Sequence, residues 1–120
     1  MKREELIELI CEPMERSFSE QTKSRREQLR SLAKMIRIDE IANYLKDNPE
    51  VVDKWKTYAD RKRDGTGYYI LMEKKTKEFG FYDQDSETRT AILKSKDTEL
   101  VVALFIIFDS GFYNSFFHRY

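Results

Sequence analysis

No glycine occurs in the first 64 residues of this chain, and the first two, Gly65 and Gly67, arrive almost together. Glycine weakens helix interiors and permits backbone turns that other residues resist. A long stretch without it can run as successive helices, and its sudden arrival marks a change of backbone habit. The fold expected from this division is α+β: N-terminal helices packed on a small antiparallel β-sheet, with a buried C-terminal helix. The 120 residues suit one domain over 1–120, with a helical part at 1–64 and a sheet, helix and aromatic tail at 65–120.

Within the first part, Leu6, Ile7, Leu9, Ile10, Met14 and Phe18 recur near helical spacing, with acids between them. Pro13 interrupts this run, ending one short helix near Cys11 or opening another. From Ser24 to Ile36 the chain is Arg-rich, with a narrow stripe of Leu29, Leu32, Met35 and Ile36. Ile38, Ile41, Ala42 and Leu45 continue at helical spacing, in a helix begun near Asp39. Asn48-Pro49-Glu50 reads as a stop and a restart. The residue before proline leaves the helical region, while Asn as N-cap, Pro in the first turn and an early acid all favour a new helix. That helix should bury Val51, Val52, Trp55 and Tyr58.

After Gly67 the period changes to two. Tyr68, Ile70 and Met72 alternate with Tyr69 and Leu71, "KKTK" turns the chain, and Phe79, Phe81 and Tyr82 resume, which predicts a hairpin over about 67–82. "DQDSE" is a polar loop. "TRTAIL" supplies a third strand at about 88–93, with Thr88, Thr90 and Ile92 on one side and Arg89, Ala91 and Leu93 on the other. The run "KSKDTELVVALFIIFDSGF" is two-valued. Its β-branched content argues for a strand, while the caps in "SKDTEL" and the stop at Gly111 argue for a helix. The helix, from about Thr98 to Asp109, is the preferred reading, and an apolar character on nearly all sides requires burial either way.

Lys and Arg number 22, and so do Asp and Glu, so the overall field selects neither nucleic acid nor a basic partner. One cysteine, Cys11, excludes an internal disulfide and fits a reducing compartment; it reads as a small buried hydrophobe rather than a reactive thiol. The opening Met-Lys-Arg-Glu-Glu has no apolar signal core. The longest apolar run, 100–108, falls well short of the roughly 20 residues of a membrane span. A soluble, cytoplasmic protein that does not enter a membrane is expected.

No phosphate-binding glycine loop occurs, and one His with one Cys cannot build a tetrahedral zinc site. His118 reads as a solvated side chain. Asp83, Asp85 and Glu87 alternate in a way that invites a cation, but the full calcium loop is missing, so a solvated acidic loop is the reading adopted. No metal or cofactor is expected, and no nucleophile, base and oxyanion donor converge. The basic clusters "KSRREQLR" and "DRKR" are interleaved with acids, unlike a nucleic-acid face. A small nucleic-acid-binding regulator using an Arg-rich helix at about 23–37 is the alternative functional reading.

One long stretch, "YLKDNPEVVDKWKTYADRKRDGTGYYILMEKKTKEFGFYDQD", resembles small bacterial immunity proteins that accompany polymorphic or contact-dependent toxins. The resemblance covers about positions 44–108. It is carried by Asn48 and Pro49, then Trp55, Tyr58, Asp60, Arg61 and Lys62 or Arg63, then Gly67, Tyr68 and Tyr69. Gly80-Phe81 stands where that pattern has Gly-Tyr, and residues 1–36 have no counterpart. The resemblance implies a non-enzymatic inhibitor that binds a cognate toxin in the cytoplasm and occludes its active site. Many such toxins are nucleases, whose basic clefts an acidic patch would complement. The toxin-binding residues expected on that logic are Tyr82, Asp83, Asp85 and Glu87. Tyr113, Phe117 and Tyr120 of the aromatic tail, with Phe112 and Phe116 beside them, are expected as anchors. Core packing is the competing role for those aromatics. Trp55 and the Arg61 region are assigned to the fold.

Overall fold

Glu40 shows how the first helices are held. The computed structural model describes residues 2–11, 35–62 and 65–109, and within them α1 spans Arg3–Ile10 and α2 spans Ile38–Asp47. The Arg3 guanidinium grips Glu40 with two hydrogen bonds, Nε to Oε2 at 2.6 Å and Nη2 to Oε1 at 2.5 Å. It also donates to the carbonyl of Met35 at 2.6 Å. Glu40 accepts the Arg37 backbone N–H at 3.3 Å as well, satisfying a donor that the start of α2 would otherwise leave open. The bonds from Arg3 hold the Glu40 carboxyl below its ordinary range.

Met35 and Ile36 were expected at the end of an Arg-rich helix and are not helical. They form a turn and bend before α2, with Ile36 buried and Met35 exposed. The apolar stripe therefore breaks there, because the chain must turn for Ile36 to reach the core. The rest of that expected helix, and Pro13, lie outside the described residues.

At the predicted junction α2 ends and α3 (Pro49–Lys62) begins. The Asn48 carbonyl accepts the Val51 N–H at 2.9 Å and so opens α3. Its side-chain amide turns the other way and donates to the Tyr44 carbonyl at 2.9 Å, closing the end of α2. From α3, Trp55 and Ala59 are buried, and Val51, Val52 and Tyr58 pack against the same core.

β1 (Gly67–Leu71), β2 (Lys77–Asp83) and β3 (Thr88–Ser95) form one antiparallel sheet with β2 in the middle. Lys77 organises the β1–β2 turn by donating to the carbonyls of Met72 at 2.9 Å and Lys74 at 2.5 Å. The inner face carries Tyr68, Ile70, Phe79 and Leu93, with Tyr68 and Phe79 stacked at 5.8 Å and Phe108 against both.

The third strand runs two residues longer than expected and departs from the simple alternation read from sequence. Phe79 pairs with Leu93 but Gly80 pairs with Ala91, so Ile92 is an extra residue in a β-bulge. The bulge turns Leu93 inward to the core and leaves Ile92 53% exposed.

The last helix, α4 (Thr98–Asp109), resolves the two-valued segment as a helix with the expected bounds. Asp97 caps it by accepting the Leu100 N–H at 3.2 Å. One side of α4 packs on α2 and another on the sheet. That position between two layers explains why Val101, Val102, Phe105, Ile106 and Ile107 are all fully buried. The fold is α+β, with α4 packed on one face of a three-stranded antiparallel sheet and α3 touching it at β1.

Candidate functional site

The outer face of the sheet is built around a contact between an aromatic ring and a missing side chain. Tyr69 and Gly80 are directly paired across β1 and β2. A Cβ placed on Gly80 would lie 2.6 Å from the Tyr69 hydroxyl oxygen and 2.7 Å from its ring carbon. The Tyr69 ring thus lies over the glycine. It is only 7% exposed although it belongs to the face turned away from the core. The Arg89 guanidinium covers it from above, 5.1 Å from the ring centroid. The Tyr69 hydroxyl donates to the Glu78 carboxylate, whose other oxygen lies 3.8 Å from the Lys94 ammonium. Burial raises the Tyr69 pKa most, the Glu78 hydrogen bond and charge raise it further, and the Arg89 charge opposes them.

These residues form one wall of a cleft of about 560 Å³ between α3 and the outer sheet face. Lys56 and Asp60 face it from α3, and Lys74 from the β1–β2 turn. Ala59, Leu71 and Met72 give it an apolar floor. Tyr82 lines it beside Arg89, its partner across β2 and β3. Among the described residues, no carboxylate lies within ion-pair distance of Arg89, Lys56 or Lys74.

Next to the cleft is the β2–β3 turn. The Asp83 carboxylate accepts the Asp85 N–H at 3.0 Å. Thr66 accepts the Gln84 N–H at 2.9 Å, tying the turn to the start of β1. The Ser86 and Thr88 hydroxyls bond at 2.6 Å. Glu87 has φ 53, and it is the single non-glycine residue at positive φ among those described. A side chain in that left-handed region costs roughly 1–2 kcal/mol.

The four expected hairpin residues are close in the chain but do not share one surface. Asp83 was read as the start of the polar loop and instead ends β2, paired with Thr88, while Tyr82, read as the end of the hairpin, is in β2 paired with Arg89. Successive strand residues face opposite sides, so Tyr82 joins the outer-face cleft and Asp83 does not. Asp85 and Glu87 are exposed in the turn. Tyr113, Phe117 and Tyr120, with Phe112, Phe116 and His118, lie outside the described residues. So does all of segment 23–37 except its last three positions. Of these, Arg37 is engaged with Asp39 at 2.9 Å, which competes with any phosphate for it.

Cys11 is buried, and burial pushes its thiol up to about 12, as suits a packing residue rather than a nucleophile. Among the described residues, no group of three or more His, Cys, Asp or Glu is gathered to hold a metal ion. No helix among them is long and apolar enough to cross a membrane.

The sequence reading did not single out Arg89, Glu78, Lys56 or Lys74. The outer-face alternation of "TRTAIL" and the unusual Gly80 inside a strand were the available signals. Only the register brings them opposite Tyr69 and Tyr82. This α+β chain has no match among family models, curated proteins or solved structures.

Proposed function

We propose that this chain is an immunity protein that binds a cognate toxin, a nuclease being the class its acidic turn fits, and occludes the toxin's active site. The observation that carries the reading is Glu87. An exposed acidic side chain is kept at a left-handed backbone position where glycine would be more easily accommodated. Strain retained at an exposed, charged residue points to use of that side chain. Asp85 stands two residues away on the same hydrogen-bonded turn, and Tyr82 in the cleft lining adds an aromatic contact. A projecting acidic turn complements a basic substrate cleft and speeds encounter with it. The proposed partner is the toxin, not nucleic acid, and the proposed place of action is the cytoplasm of the producing cell.

The test is co-expression with the product of the adjacent gene. The expected result is a stable one-to-one complex on gel filtration and survival of cells that express both. Cells killed by that product despite abundant folded protein would overturn the reading.

A further inference from the structure

The cleft beneath Arg89 holds cations that no ion pair among the described residues engages. Three cations, Lys56, Lys74 and Arg89, face it from three separate elements. Of the three carboxylates that line it, Glu78 is already engaged by the Tyr69 hydroxyl and by Lys94. Asp60 and Glu73 remain, so three cations face two free carboxylates, an excess of one positive charge. That balance disfavours a polyanion such as a nucleic-acid backbone, which needs many unopposed cations. It suits a single negative charge.

We propose that this cleft binds an organic monocarboxylate, with Arg89 receiving the carboxylate. The Tyr69 ring, seated against Gly80, lies beneath the Arg89 guanidinium. A planar fork of N–H donors matches a carboxylate in two parallel hydrogen bonds, which a lysine cannot reproduce. Ala59, Leu71 and Met72 offer an apolar surface for the carbon body of the ligand. The carboxylate comes either from a free acid or from the C-terminal end of a partner chain. The site does not rest on the toxin-binding reading, because its probes involve this protein alone.

The experiment is an amide chemical-shift titration of the full chain at constant ionic strength. The probes are benzoate, benzamide, and a short blocked peptide ending in phenylalanine as free acid or as amide. Benzoate should give saturable shifts centred on Tyr69, Gly80 and Arg89, and benzamide none. Arg89→Gln should weaken the response about tenfold or more, as expected for losing a charged hydrogen-bonding partner. Arg89→Lys keeps the charge and should still lose several-fold, because the fork is gone. Both changes fall on an exposed position of β3, and unchanged shifts in the α4 core would confirm that each variant is folded. Tighter binding of the free-acid peptide than of benzoate assigns the ligand to a partner's chain end; the reverse assigns a free acid. Equal responses to benzoate and benzamide, no response to either acid, or full retention in folded Arg89→Gln would overturn the proposal.

Discussion

The indole N–H of Trp55 donates to the backbone carbonyl of Cys11 across 44 residues of sequence, at 2.6 Å and fully buried. This bond ties the middle of α3 to the end of α1. The same ring meets Phe105 of α4 edge-on at 6.0 Å and Tyr58 edge-on at 5.4 Å. One side chain therefore joins three helices, by shape and by a hydrogen bond that an aliphatic residue cannot supply.

Trp55→Phe keeps an aromatic body but removes the donor, leaving a buried carbonyl without it. The expected loss is about 1–3 kcal/mol for the unsatisfied group. Trp55→Ala adds a large cavity, and about 3–5 kcal/mol is expected. Urea denaturation gives both values. If Trp55→Phe were as stable as the parent, the bond to Cys11 would not hold α1 in place.

Gly80→Ala tests the outer face. The added methyl group meets the Tyr69 hydroxyl and the Thr90 carbonyl, the second a backbone atom that cannot step aside. Overpacking of this kind costs about 1–3 kcal/mol. Tyr69→Ala in the same chain should relieve only part of the loss, because the Thr90 contact remains. Thermal melts of the two single variants and the double variant check this, and complete rescue would mean that the ring alone sets the limit.

The buried thiol sets an alkaline limit. Burial raises the Cys11 pKa from an ordinary 9.0 to about 12, so the folded state favours the protonated form. Below pH 9 both states hold the proton, and the contribution is fully present. Above it the unfolded chain loses the proton first, and stability falls until the folded thiol titrates near 12. Tyr69 and Tyr44, both raised chiefly by burial, act with the same sign above their ordinary 10. Cys11→Ala should flatten the stability curve over the thiol's part of this range. The parent thiol should also resist alkylation at neutral pH until the chain unfolds. Rapid labelling of the native protein would contradict its burial.

Much of this architecture could be read in the amino acids because local chemistry and packing agree. The Asn48-Pro49 junction, the hairpin and the bounds of α4 each follow from caps, period and turn residues. The bulge at Ile92 could not be read that way. An extra residue in one strand is visible only once its partner's register is known, and it reverses which of Ile92 and Leu93 enters the core. The cleft was hidden for a similar reason. Lys56, Lys74 and Arg89 belong to a helix, a turn and a strand, and each alone resembles a solvated surface charge. The acidic turn was visible as a run of carboxylates, but not the split between Tyr82 and Asp83, nor the backbone conformation of Glu87.

Glu87 allows stability and recognition to be separated. Replacing it with glycine relieves a left-handed conformation worth roughly 1–2 kcal/mol. It also gives the unfolded chain more freedom, which costs about 0.5–1 kcal/mol. The net expectation runs from no change to a gain of about 1.5 kcal/mol in chemical denaturation. The same substitution removes one acidic charge from the exposed turn. If the turn steers encounter with a basic toxin cleft, the association rate of Glu87→Gly with that toxin should fall. The fall should be larger at low salt and fade as salt screens the field. Glu87→Lys, which reverses the charge at the same backbone position, should slow association further while restoring the strain. A Glu87→Gly protein that is as stable as the parent and associates with the toxin at the parent's rate, at every salt concentration, would remove Glu87 from the docking surface and with it the main support for the proposed function.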